Sequence, residues 1–297
     1  MKKIVVVLFT LLILVGCSKS DPVDKYGSDV LNVFNWGEYI GEDVIANFEE
    51  EYGVKVNYSL FESNEIMYTK LLSGNNYDVI VPSDYMIERL MKEDLIQPLD
   101  YSYMTNLDDL NPEVLALRDE YDTDGKYSIP YFWGSVGLVY NKNVVSEEKL
   151  DELGWNILRD TEYSNKIFMY DSERDSFMVA LKALGYSMNT ENMYEINKAY
   201  EWLCELHDTM NPAYVTDEVT DAMINNEKDI AVVYSGDATF IISQNDDMAY
   251  YVPKEGTNVW SDGFVIPSNA KNSKLANEFI NFMLNYDEAM DSSIAVG

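Results

Sequence analysis

Apolar runs alternate along this chain with stretches of helical periodicity. Val30-Leu31-Asn32-Val33-Phe34 is an apolar-rich run that predicts a strand, and residues 42–52 predict a helix closed by Gly53. Val54-Lys55-Val56-Asn57-Tyr58 alternates as a second strand. Residues 65–73 read as a helix offering Ile66, Leu71 and Leu72 to a core. Tyr77-Asp78-Val79-Ile80-Val81 reads as a short buried strand stopped by Pro82, and Ser83 then stands as the N-cap of a helix reaching about residue 93. Three strands, each followed by a helix, predict a parallel, doubly wound α/β sheet.

The same pattern continues. Residues 135–141 and 167–170 predict strands, the latter opening onto Asp171-Ser172-Glu173-Arg174-Asp175. Residues 176–184 form a helical pattern with Phe177, Ala180, Leu181 and Leu184 on one face, and residues 192–207 a longer amphipathic helix. Ile230-Ala231-Val232-Val233-Tyr234 is a strand leading through Ser235-Gly236-Asp237 into a helix. Further strands are expected at 250–253 and 263–266, and a helix at 274–284. Crossings between two lobes are placed at 133–136 and 254–258, so that 29–134 with 258–297 form one lobe and 135–257 the other.

The N-terminus has its own pattern. Lys2 and Lys3 precede an apolar run over 4–15, too short for the roughly 20 residues of a spanning helix. Leu14-Val15-Gly16-Cys17 resembles a bacterial lipobox. That resemblance implies a signal peptide over 1–16, lipidation of Cys17 and anchoring on the outer face of a membrane, where more than one acyl chain makes the anchor stable. Residues 17–28, with Pro22 and Gly27, read as a tether.

Composition narrows the function classes. The 297 residues are 47% hydrophobic and 13% aromatic, enough for a real core. With 52 acidic against 21 basic residues the net charge is −31, a field that repels nucleic acid and attracts cations. Beyond Cys17 only Cys204 remains, in an apolar helical stretch where a buried structural thiol is expected. No disulfide framework is available.

Several catalytic templates are missing: no Gly-rich dinucleotide fingerprint, phosphate loop, His-Glu-x-x-His, Cys-x-x-Cys or Gly-x-Ser-x-Gly occurs. The lone His207 sits at a helix end and reads as a dipole partner. Carboxylates abound, so a glycosidase is not excluded by counting. What recurs is an aromatic within a few residues of an acid, at strand ends. Trp36 with Glu38 and Tyr39 is one instance, and Ser83-Asp84-Tyr85 a second. Tyr234 with Asp237 and Trp260 with Asp262 complete the set, and Asp171 and Asp175 add acids at a helix start. Such pairs suit an organic cation, whose charge is drawn to ring faces and whose N–H groups bond carboxylates. Each also has a structural reading: Ser83 and Asp237 as caps, Asp171 and Asp175 as dipole partners, Trp260 as core.

Taken together, Asn35-Trp36-Gly37-Glu38-Tyr39, Glu62-Ser63-Asn64-Glu65-Ile66-Met67-Tyr68, Tyr77-Asp78-Val79-Ile80-Val81-Pro82-Ser83, Ser128-Ile129-Pro130-Tyr131 and Trp260-Ser261-Asp262 resemble the periplasmic spermidine/putrescine-binding proteins of polyamine ABC transporters. The resemblance runs from about residue 31 to the end. It implies a two-lobed periplasmic-binding-protein fold, each lobe a mostly parallel sheet flanked by helices, with the ligand in the cleft between them. It implies a monomer without cofactor or metal that catalyses no reaction and delivers putrescine or spermidine to permease subunits. By position, Trp36, Glu38, Tyr39, Ser83 and Tyr85 would line the first lobe. Asp175 would take an amino group, Tyr234 would stand where a Trp is usual, Asp237 would match an acid of putrescine-type members, and in the Trp260–Asp262 pair the acid would take a central or terminal ammonium. Ser172 occupies a position where some members carry an acid, for which Asp171 is a candidate substitute. The resemblance also implies a binding Tyr and further helices of the second lobe beyond Ile294-Ala295-Val296-Gly297. Alternatives from the residues alone are a receptor for a sugar or ferric ion, or a lipid-anchored glycosidase. Trp36 and Trp260 argue against a ferric site, which favours clustered Tyr.

Overall fold

The computed structural model of the chain describes residues 21–296. The signal stretch, the lipobox and Cys17 lie outside those residues.

In chain order the elements are α1 (Pro22–Tyr26), β1 (Val30–Trp36), α2 (Val44–Tyr52), β2 (Lys55–Phe61), α3 (Asn64–Leu72), β3 (Val79–Ile80), α4 (Asp84–Lys92), β4 (Ile96–Gln97), α5 (Pro112–Asp119) and β5 (Ser128–Asn141). There follow α6 (Glu147–Leu153), β6 (Ile167–Tyr170), α7 (Glu173–Ala183), α8 (Met193–Met210), β7 (Ala213–Val215), α9 (Glu218–Ile224), β8 (Ile230–Tyr234), α10 (Ser235–Gln244), β9 (Met248–Tyr251), β10 (Val259–Pro267), α11 (Ser273–Met283) and α12 (Tyr286–Val296).

The strands pair in the order β2-β1-β3-β10-β5-β8-β6-β7, with β4 against β10 and β9 against β5. β2, β1 and β3 are parallel, as are β7, β6 and β8. Between these two parallel groups lie β10 and β5, antiparallel to each other. β5 is long enough to serve both. It pairs with β10 from Ser128 to Ser135, then with β8 and β9 from Val136 onward.

The apolar side chains gather on either side of that change of partner. One core spans Val136 to Met248 and is filled by Leu138, Trp155, Trp202 and Val232. The other is built from two clusters, one with Leu31, Phe48 and Phe279, the second with Phe34, Met67 and Ile87. These are called below the second and the first unit. The first unit therefore draws on both ends of the chain: Phe48 of α2 meets Phe279 of α11 edge-on at 5.0 Å between ring centres.

Five local expectations need correction. Of the residues that α3 is expected to offer to a core, Leu71 is buried but Ile66 and Leu72 are exposed. Part of the stretch read as tether is folded. Asp21 caps α1 by accepting from Val23 N–H at 3.0 Å, and Tyr26 is buried with its hydroxyl 3.3 Å from Glu278. The helix expected at 176–184 starts at Glu173, because the Ser172 hydroxyl accepts from Asp175 N–H at 3.3 Å. Ser83 stands at the N-cap of α4 but makes no capping side-chain bond; its hydroxyl accepts from Asn64 Nδ2 at 3.0 Å instead. Cys204 is exposed rather than buried. The inward face of α8 is set by Ala199, Trp202, Leu206 and Met210, and a position two after Trp202 points about 200° away.

Candidate functional site

The ends of β1, β6 and β8 bring aromatic residues to the stretch where β10 and β5 pair. At their edge β1 closes with Trp36 and runs into the loop of Gly37, Glu38 and Tyr39. The Trp36 indole donates to Val81 O at 2.8 Å and its ring leans on Phe61 at 4.4 Å, so this side chain is held at the rim of the first unit. Glu38 is exposed and lies in the left-handed region with φ 47°. That conformation lets the next residue turn back. Tyr39 is consequently held at both ends. Its carbonyl accepts from the Tyr131 hydroxyl at 2.8 Å, and its own hydroxyl donates to Asp262 Oδ2 at 2.8 Å.

Asp262 owes its position to an irregularity of the sheet. The β5–β10 register shifts between Ser261 and Gly263, so that Tyr131 and Phe132 of β5 oppose the single Asp262 of β10. Bulges of this kind re-aim side chains beside functional sites. The two rings pack against Tyr39 at 5.6 and 5.0 Å. On its other side Asp262 bridges Ser83, and Gly263 N–H bonds Pro82 O at 3.1 Å. The Asp262 carboxyl is buried, with Oδ1 lacking any partner. Burial pushes its pKa up to about 7, opposed by the hydroxyls of Ser83 and Tyr39 and reinforced by the neighbouring Asp84. Asp84 itself accepts from Ser261 N–H at 3.3 Å, and burial raises its pKa too.

Trp260, two residues earlier on β10, pairs with Gly134 of β5. Its ring crosses that glycine so closely that a Cβ there would lie 2.6 Å from Cζ2. The ring meets Tyr234 edge-on at 5.7 Å, and its indole nitrogen is buried without a partner.

The second unit contributes two bridged acids. Tyr234, ending β8, donates to Asp175 Oδ2 at 2.7 Å. The same oxygen accepts from the Ser172 hydroxyl at 2.8 Å, and Asn258 Nδ2 lies 3.3 Å from Oδ1. Tyr170, ending β6, stacks on Tyr234 at 4.4 Å and donates to Asp237, while Tyr234 N–H donates to the Tyr170 hydroxyl at 3.1 Å. Burial raises the Asp237 pKa, and the Tyr170 hydrogen bond works against it. The Asp262 charge also bears on Tyr234 and holds its phenol well above the ordinary range, after burial and Asp175. The two walls are thus close enough to feel each other.

Of the residues singled out from sequence, Tyr39, Ser83, Asp175, Tyr234, Asp237, Trp260 and Asp262 are brought together, with Trp36 at their rim. Tyr85 joins from α4, its hydroxyl donating to Glu65 at 3.0 Å. Glu38 and Asp171 are not drawn in. Both are exposed, and the Asp171 charge faces Tyr214. Tyr170, Asn258, Arg174 and Asp84 escaped the sequence-based selection of site residues. Two of them had a signal: Tyr170 closes a predicted strand, and Asp84 stands inside an aromatic–acid pair. Among the described residues no group of three or more His, Cys, Asp or Glu is placed to hold a metal ion, and no helix is long and apolar enough to cross a membrane.

Known proteins were compared with this chain. Residues 43–296 match the family described as bacterial extracellular solute-binding protein. The spermidine/putrescine-binding periplasmic protein of Salmonella typhimurium is 35% identical over 272 residues, covering 91% of this chain and 77% of that protein. Among solved structures, the spermidine/putrescine ABC transporter substrate-binding protein PotD of Streptococcus pneumoniae superposes with a TM-score of 0.74 at 39% identity, covering 91% of this chain and 82% of the other. The TpPotD lipoprotein of Treponema pallidum gives 0.77 at 29% identity, with 89% and 84% covered.

Proposed function

Because this chain belongs to the bacterial extracellular solute-binding proteins, we propose that it is the polyamine-binding component of an ABC transporter, delivering putrescine or spermidine to the membrane permease. The observation that carries the reading is the Asp262 carboxyl, buried beneath aromatic rings with one oxygen bonded to Tyr39 and the other unpartnered. A buried acceptor without a partner costs free energy, and an ammonium donor at that oxygen would repay it.

The ligand is a chain of methylenes with ammonium groups at intervals. Trp36, Tyr39, Tyr234 and Trp260 would cover the methylenes. Asp262 would take one ammonium, while Asp175 and Asp237, presented by Tyr234 and Tyr170, would take another. Ser83 and Tyr85 would close the first wall. Cation–π contacts of roughly 0.5–2 kcal/mol and charge-assisted hydrogen bonds of roughly 1.5–3 kcal/mol sum, less ordering costs, to the roughly −8 kcal/mol of micromolar binding. The protein binds and releases its ligand without chemistry. Residues 29–134 with 258–297 and residues 135–257 act as two lobes that close on it as a monomer. Cys17 carries acyl chains that hold the protein outside the membrane, a reading supported by the lipobox.

Titration calorimetry tests the reading. Putrescine or spermidine is expected to give saturable heat, and a sugar or ferric ion none. Heat from a sugar or iron with silence from both polyamines overturns it.

A further inference from the structure

The first turn of α7 faces two ways. Asp175 points inward, buried against Tyr234, Ser172 and Asn258. Arg174, the residue before it, is exposed and reaches the first unit, where its guanidinium lies over the Tyr85 ring at 4.2 Å from the centroid. That distance is well inside the range of cation–π attraction, and a planar guanidinium stacks on a ring where an ammonium only sits. The ring is held ready: the Tyr85 hydroxyl is tied to Glu65 of α3 at 3.0 Å. The residue before Tyr85 is Asp84, whose carboxyl feels the same guanidinium as an opposing charge. Asp84 in turn accepts from Ser261, next to Asp262. One turn of helix therefore connects the Asp175 network of the second unit to the Asp84–Asp262 side of the first.

We propose that Arg174 is a positioning residue for ligand binding: it straps α7 to Tyr85 across the rim of the cleft and slows ligand release. This rests on the polyamine reading of the site. The strap and simple charge repulsion predict opposite effects on dissociation. Arg174 is a cation beside a site for cations. If repulsion were its only effect, removing it would speed association and slow dissociation. A strap holds the units together after the ligand has entered, so its removal speeds dissociation while association is unchanged or slightly faster. Lysine keeps the charge and loses the planar stack, so it should rescue only in part.

The test is stopped-flow tryptophan fluorescence with putrescine and spermidine on wild type, Arg174→Gln and Arg174→Lys. Thermal unfolding checks that the variants fold. Arg174→Gln is expected to release the better-bound ligand about fivefold faster, with association changed less than about twofold, and Arg174→Lys to fall between. Dissociation that is unchanged or slower in Arg174→Gln overturns the strap while leaving the polyamine reading intact. If wild type binds neither polyamine, that reading fails. Solution scattering then decides the strap alone: a larger radius of gyration in Arg174→Gln supports it, and an equal one overturns it.

Discussion

The Tyr39 hydroxyl donates to Asp262 Oδ2 at 2.8 Å, across 223 positions of sequence. This bond joins the loop after the first strand to the strand that returns from the second unit. It satisfies one oxygen of a buried carboxyl and leaves the other without a hydrogen-bond partner.

The first prediction concerns stability without ligand. Asp262 titrates near 7 in the folded chain against 3.8 for an ordinary aspartate. The folded state therefore binds its proton more tightly than the unfolded one between those values, and stability falls as pH rises through that window. Above it the cost is constant, at about 4 kcal/mol as an upper bound. Asp262→Asn keeps an acceptor for Tyr39 and removes the charge. Urea unfolding at pH 8, after exhaustive dialysis, should show the variant to be more stable than wild type by about 2–4 kcal/mol, with the difference vanishing near pH 4.

Ligand binding should carry the opposite dependence. An ammonium is recognised by the ionised carboxylate, which faces Tyr39, Ser83, Asp84, Tyr121 and Tyr234. Below about 7 the site must lose a proton before it can bind, so affinity should weaken toward a tenfold loss for each pH unit. Calorimetry at pH 6 in buffers of different ionisation heat should find close to one proton released per polyamine bound.

A further prediction tests the fit of Trp260. Gly134→Ala would place a Cβ 2.6 Å from Trp260 Cζ2 and 2.8 Å from Ser235 Oγ. The hydroxyl can rotate, but the indole lying across Gly134 and against Tyr234 has to shift as a whole. The substitution should destabilise the chain by about 1–3 kcal/mol and change the intrinsic fluorescence as the ring is displaced. Denaturant unfolding and an emission spectrum read both effects.

Much of this architecture is legible in the sequence because its signals are local. The alternation of residues 54–58 and the apolar run at 230–234 mark strands whatever lies around them, and each strand end carries its aromatic and acid. What stays hidden depends on partners far away in sequence. That Tyr131 and Phe132 share one opposite residue, and so turn Asp262 into the site, follows only from the pairing of β5 with β10. The role of Asn258 rests on its approach to Asp175, 83 positions earlier. Cys204 was misread because an apolar neighbourhood does not give the phase of a helix, which α8 takes from Trp202 and Leu206. Asp171 is exposed while Asp175, four residues on, is buried, a difference in facing that the run of polar residues at the start of a helix does not show. That the Trp36 indole N–H is spent on Val81 O likewise depends on a partner distant in sequence.

The most direct test of the central claim is the affinity of Asp262→Asn for putrescine and spermidine, measured by calorimetry at pH 8 beside wild type. The unpartnered oxygen is assigned to an ammonium, so the variant should bind at least about tenfold more weakly while being the more stable fold. Wild-type affinity in Asp262→Asn would remove this carboxyl from the site and contradict the account.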